Sequence, residues 1–350
     1  MNFVEDNMNS TLADAVTPFQ VLLYYNFTPV PDPEAEREAM EEFCRKNHLL
    51  GRILIAKEGL NGTVSGTRSD IKAYQEYIGR HPVFHATEWK VDDVPSHTFL
   101  KLHVRVKKEI VHLGVDELDM AVHIDNYVEP DEFREILKLD DPDVVILDAR
   151  SKYETEVGKF KNALTLGIDN FRDLPDALDG LNDLKDKKIY TYCTGGIKCE
   201  KVSRLMLKKG FKHVYQLHGG IIRYGHEAGG EDFEGSCYVF DQRVVVPVNH
   251  VNPDVLGHCR ICEAPTEKMV NCANPECNDH FLICGACADE LQGCCSEPCL
   301  ANPRRRAWDG TGYYLRGVNS KLYVSAPEPN YIRNLDTTKL KFGFNSGAKG

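Results

Sequence analysis

The stretch KKIYTYCTGGIKCEKVSRLMLKKG, residues 187–210, decides the fold. Its first half, KKIYTYC, is a β-branched and aromatic run of strand length that enters a Thr-Gly-Gly turn directly. Its second half, EKVSRLMLKKG, has helical apolar spacing and closes at Gly210. Strand, glycine-bearing loop and helix in this order are the repeating piece of a parallel-sheet domain. Cys193 stands at the joint, followed by Thr194, Gly195, Gly196, Ile197, Lys198 and Cys199. Backbone N–H groups converge at such a joint, and both the helix N-terminus and Lys198 favour a thiolate there. A cysteine so placed suits nucleophilic chemistry, carrying sulfur, phosphate or another covalent adduct. The competing role, a buried core cysteine, leaves the loop glycines and Lys198 without a purpose.

Working outward, DEFREILK reads as a helix, VVILDAR as a buried strand and HVYQLHGG as a last strand with a glycine turn, which gives a parallel-sheet domain over 123–232. Upstream, FQVLLYYNF (Phe19–Phe27) is a strand, and Asp32-Pro33 opens a helix with Ala35, Ala39, Met40, Phe43 and Leu50 at helical spacing. GRILIA and GLNGTVSG follow as two strands around a glycine turn, and Ser69-Asp70 is expected to cap a second helix bearing Ile71, Tyr74, Tyr77 and Ile78. HATEWKV and FLKLHVRVKKEIV supply further strands. The β-α-β-β-α-β order predicts a ferredoxin-like α/β sandwich over 19–122. Residues 1–18 form an N-terminal extension, 233–303 a cysteine-rich module, and 304–350 a flexible basic tail with nine Lys/Arg against three Asp/Glu. The fold class is α/β throughout: an α+β sandwich, then a parallel-sheet domain, then a small metal module.

The 350 residues exceed one ordinary core, in keeping with this division. The net charge of −11 excludes a protein coated in basic charge but leaves room for a local basic strip. No apolar run reaches the length of a membrane span, and the acidic start lacks the basic and apolar regions of a signal peptide. The expected compartment is the cytoplasm, where thiols stay reduced.

That expectation shapes the reading of the cysteines, nine of which fall between Cys259 and Cys299. Cys259/Cys262 and Cys284/Cys287 are knuckle pairs; Cys272/Cys277 and Cys295/Cys299 lie between and after them. Such spacing suits tetrahedral zinc, one or two ions, holding together a segment too small for its own core. Interleaved pairing (259/262 with 284/287, and 272/277 with 295/299) and sequential pairing are both open. An iron–sulfur cluster competes, with paired knuckles favouring zinc.

Two further groups draw attention. Strand alternation puts Lys101, His103, Arg105 and Lys107 on one face, opposite Leu102, Val104 and Val106. The basic face is either an ordinary solvated surface or a ridge for a nucleic-acid backbone. Asp148 and Arg150 end a strand beside the Cys193 loop, where a salt bridge supporting the loop is the simpler role. Cys199 either packs beneath the loop or resolves an oxidised Cys193.

DAR at 148–150, YETEVGKFKNALTL, YCTGGIKCEK and LHGGI together resemble a rhodanese domain, whose loop cysteine becomes a persulfide. With EGLNGTVSG, LHVRVKKEIV and GCCSEPC added in one order, residues 19–303 resemble the rhodanese-containing tRNA uridine hydroxylases, the TrhO family. Lys198 departs from the Arg expected in many relatives, replacing a bidentate fork by a point charge. The resemblance implies O2-dependent 5-hydroxylation of the wobble uridine, U34, in the anticodon region of tRNA, with Cys193 as the essential cysteine. O2 is then a co-substrate. No flavin or NAD site is readable, and neither a membrane nor a protein partner is expected. A sulfurtransferase passing persulfide sulfur from Cys193 is the alternative enzyme, and an adaptor that merely keeps the fold is the third reading.

Overall fold

Alternation along FQVLLYYNF sets the first sheet. The computed structural model describes residues 18–116, 118–120, 124–312 and 314. In it strand β1 (Phe19–Phe27) sends Leu22 and Tyr24 into a core and turns Leu23 and Tyr25 to the other face. Helix α1 (Pro33–Lys46) follows, its first amides at Glu34 and Ala35 donating to the Asp32 carboxylate. Strands β2 (Leu50–Ala56) and β3 (Gly59–Thr67), helix α2 (Arg68–Gly79), β4 (Glu88–Val94) and β5 (Leu102–Val106) complete the unit. The sheet order is β4-β1-β3-β2-β5, antiparallel except that β5 runs parallel to β2. Met40, Cys44, Ile71, Tyr74 and Ile78 of the two helices pack on Ile53, Ile55, Val64 and Val104 of the sheet.

Two expectations shift here. Thr67, not Ser69-Asp70, caps α2, because β3 runs straight into the helix; the Asp70 amide donates to Thr67 Oγ1 at 3.2 Å. The strand expected over FLKLHVRVKKEIV shortens to Leu102–Val106, and Val106, at its end on the sheet edge, is exposed rather than packed.

The second unit is built from β6 (Tyr127–Val128), α3 (Pro130–Leu137), β7 (Val144–Asp148), α4 (Lys152–Thr155), β8 (Gly158–Phe160), β9 (Leu164–Thr165) and α5 (Leu174–Ala177). It continues through β10 (Lys188–Tyr192), α6 (Ile197–Lys208), β11 (His213–Leu217) and α7 (Gly220–Ala228). The parallel sheet has the order β6-β11-β10-β7-β9. Apolar cores cover both faces, as a parallel sheet requires: Phe133, Tyr192 and Tyr224 in one, Leu147, Ile189 and Met206 in the other.

The third unit has little regular structure. Strand β12 (Phe233–Gly235) pairs back to β8, β13 (Cys237–Tyr238) pairs with β14 (Val245–Val246), and β15 (Met269–Asn271) forms a hairpin with β16 (His280–Leu282). Two short helices, α8 (Gly285–Glu290) and α9 (Glu297–Leu300), follow. The expected flexible tail begins differently: Trp308 and Tyr314 pack on the cysteine module, and Trp308 Nε1 donates to Asp289 at 2.8 Å. Residues 315–350 of that tail, 1–17 of the expected extension and the expected domain junction at 122–123 lie outside the described residues. Among the described residues, no helix is long and apolar enough to cross a membrane.

Candidate active site

The face of the first sheet that the helices leave bare meets the Cys193 loop across a cavity of about 700 Å³. Leu23, Tyr25, Leu54, Asn61 and Thr63 form the sheet wall; Cys193, Thr194, Gly195, Ile197 and Lys198 form the opposite one. Tyr153, Phe171 and Phe240 add aromatic surface, and Arg52, Lys107, Lys108 and Arg172 put positive charge on the lining. Size and composition suit a ligand as large as a nucleotide.

Cys193 follows β10, 1% exposed, with the α6 N-terminus pointing toward it. Gly196 N–H donates to its Sγ at 3.2 Å. Burial works against the thiolate, but the Cys199 thiol, the Lys198 ammonium and the amides of Cys199 and Lys198 outweigh it and bring Cys193 down to about 6. The same pair pushes Cys199 far the other way, through burial and the neighbouring Cys193. One cysteine is therefore the thiolate and the other its thiol donor. Two glycines make the loop possible. Gly196 has φ +100°, and a Cβ there would meet the Tyr25 hydroxyl at 2.9 Å. Gly220, at φ +68°, packs so tightly beneath the loop that a Cβ would stand 2.5 Å from the Cys193 carbonyl. In return Ile221 and Ile222 N–H hold the Cys193 and Thr194 carbonyls at 3.0 and 3.1 Å.

Buried charges brace this loop. Lys198 Nζ donates to Glu154 Oε2 at 2.5 Å and lies over the Phe171 and Phe240 rings. Asp148 and Arg150, both fully buried, form a bidentate pair, and Arg150 also donates to the Gly158 carbonyl at 2.6 Å. The two units are pinned together by Lys201, whose Nζ reaches Glu58 at 2.8 Å and Glu109 at 2.7 Å. The Tyr25 hydroxyl donates to Glu200 at 3.2 Å across the same seam.

Strand β5 carries the basic ridge. His103 and Arg105 are exposed on it, with exposed Lys101 and Lys107 flanking the strand. Parallel pairing places His103 beside Arg52 and Arg105 beside Leu54, on the bare face of the sheet. The ridge is thus continuous with the cavity, which Lys107 itself lines.

The cysteine module gathers Cys259, Cys262, Cys284 and Cys287 in one group, and Cys272, Cys277, Cys295 and Cys299 in another. Within each, all four sulfurs lie within 4.8 Å of one another, so the pairing is interleaved rather than sequential. The sulfurs of Cys262 and Cys284 are 3.6 Å apart, those of Cys277 and Cys295 3.7 Å, and those of Cys295 and Cys299 3.7 Å. Four thiolates at the usual zinc–sulfur distance of about 2.3 Å around a tetrahedral ion would stand about 3.8 Å apart. Both groups can hold a metal ion, and the chemistry and spacing of their donors fit zinc.

Sequence reasoning missed Glu154, Lys201, Asn61 and the aromatic lining. Alternation in GRILIA could have placed Arg52 opposite Ile53 and Ile55; nothing local marks Glu154 as the partner of Lys198.

Comparison with known proteins agrees with this architecture. A UPF0176 acylphosphatase-like domain matches residues 19–110, a rhodanese-like domain 129–226 and a rhodanese C-terminal region 234–300. A tRNA uridine(34) hydroxylase of Cytophaga hutchinsonii is 52% identical over 309 residues, 87% of this chain and 98% of that protein. Proteins of the same name from Staphylococcus haemolyticus and Listeria welshimeri are each 46% identical, covering 68% and 69% of this chain and 75% and 76% of theirs.

Proposed function

Because the chain belongs to the tRNA uridine(34) hydroxylase family, we propose that it hydroxylates uridine 34 of tRNA at C5, with the base held in the cavity beside Cys193. The observation that carries this reading is the cavity itself: a thiolate, aromatic surface and five basic side chains converge between the two folded units. A wobble base is unpaired, so it can be splayed out and stacked on aromatic side chains while flanking phosphates meet Arg and Lys. The ridge of Lys101, His103, Arg105 and Lys107 extends that phosphate track. O2 is the co-substrate, and Cys193 is the residue on which the reaction depends; Thr194 to Cys199, with Asp148 and Arg150 behind them, hold it as a thiolate. Two zinc ions in the cysteine module would serve structure rather than chemistry. The protein works in the cytoplasm, where its tRNA is.

Nucleoside mass spectrometry tests this. A strain lacking the gene should lose 5-hydroxyuridine, regain it with the wild-type chain, and fail to regain it with Cys193→Ser. Full modification in the Cys193→Ser strain would remove Cys193 from the reaction. Cyanide-dependent turnover of thiosulfate by the purified chain, without any change in tRNA, would favour the sulfurtransferase instead.

A further inference from the structure

Asn61 stands on β3, paired in register with Tyr25 of β1 and Leu54 of β2, and all three line the cavity. Its side-chain amide is not free to turn. Nδ2 donates to the Ile110 carbonyl at 2.8 Å, and exchanging the two ends of the amide would set two oxygens against each other. Oδ1 is therefore fixed on the side away from Ile110, and it accepts no hydrogen bond among the described residues. The side chain is only half-buried, and its open part belongs to the cavity wall.

An oriented acceptor of this kind distinguishes the two pyrimidines. Uracil presents N3–H, a donor, between its two carbonyls. Cytosine presents an N3 lone pair in the same place, which would face Oδ1 acceptor to acceptor. Resting on the assignment of uridine 34 as the substrate, we propose that Asn61 reads the base, its Oδ1 accepting the uracil N3–H and rejecting cytosine. The Ile110 contact is what turns a symmetrical-looking amide into a one-way reader.

The test uses the full chain and two anticodon stem-loop RNAs that differ only in carrying U34 or C34. Wild type should bind the U34 RNA roughly tenfold more tightly, the effect of one well-placed base-edge hydrogen bond. Asn61→Leu removes both the acceptor and the donor to Ile110; Asn61→Asp keeps an acceptor toward the base but sets its second oxygen against the Ile110 carbonyl, which should weaken binding of both RNAs without erasing their difference. Discrimination should vanish in Asn61→Leu and persist in Asn61→Asp. A U34 RNA carrying 3-methyluridine should bind wild type weakly and recover with Asn61→Ala, which removes the acceptor left without its donor and makes room for the methyl group. Equal loss in Leu and Asp variants would mean that Asn61 only anchors the 107–113 segment, and unchanged discrimination in Asn61→Leu would place the reader elsewhere; either overturns the inference while leaving uridine hydroxylation intact. A wild-type chain that binds neither RNA and leaves tRNA unmodified would instead overturn the assignment beneath it.

Discussion

Lys198 serves two neighbours, and the two can be separated. Its ammonium favours the Cys193 thiolate, and it is also the cation for Glu154, a carboxylate with no exposed surface. In wild type, alkylation of Cys193 by iodoacetamide should rise with pH through about 6 and then level, because the thiolate is the reactive form. Lys198→Met should move that midpoint upward by about a unit or more, since a neighbouring opposite charge shifts an ionisation on this scale. The same change leaves Glu154 buried without a cation, which costs about 3–5 kcal/mol of stability. Adding Glu154→Gln should return much of the lost stability in denaturant unfolding but none of the pH shift. An unmoved midpoint in Lys198→Met would assign thiolate stabilisation to the Cys199 thiol and the amides. This part of the site was half legible: Cys193 and Lys198 are five residues apart within one motif, whereas Glu154 lies 44 residues away and is brought in by packing.

At the scale of elements, β5 and its neighbour act as one surface. Arg105→Glu with Lys107→Glu should weaken tRNA binding and flatten the dependence of log affinity on log salt by about 1.5, because each lost phosphate contact returns ~0.7–0.9 counterions. Both residues are exposed, so melting should barely change. An unaltered salt slope would move the phosphate contacts to Arg52, Lys108 and Arg172. The alternation along Lys101 to Lys107 was readable from sequence, as was the order of strands and helices. Which strand β5 lies against was not, since pairing is a property of two distant segments; that pairing is what adds Arg52 to the ridge. The aromatic residues around the cavity escaped for the same reason, arriving from β1, α4, the turn at Phe171 and the loop after β13.

For the whole molecule, the relevant energies lie where units meet. His218 Nε2 is 3.1 Å from Glu88, and His226 Nε2 is 2.9 Å from Asp92, two bridges from the parallel-sheet domain to β4. Hydrogen bonds to Glu88 and Asp92, respectively, raise the two histidines above their usual range, with Glu129 also contributing at His218, beside Arg223. A raised histidine stabilises the fold fully below its unfolded pKa of about 6.5 and loses that contribution as pH rises through its folded value. Wild type should therefore melt above the His218→Gln, His226→Gln double variant at pH 6, and the gap should close by about pH 9. A constant gap would mean packing, not charge. Elemental analysis of protein purified without chelator should find two zinc ions per chain, and Cys262→Ala should lower the content and the solubility together. Iron, or no metal, would overturn the zinc assignment. Along the chain the ligand pairs alternate between the two groups: 259/262, 272/277, 284/287, 295/299. A ribosome releasing this segment exposes two ligands of each site before completing either. The first site closes only after Cys287 emerges, by which time Cys272 and Cys277 are already enclosed in its loop, awaiting Cys295 and Cys299. The first site to fill therefore closes around half of the second's ligands, and neither can fill before the catalytic domain has had its whole sequence available to fold.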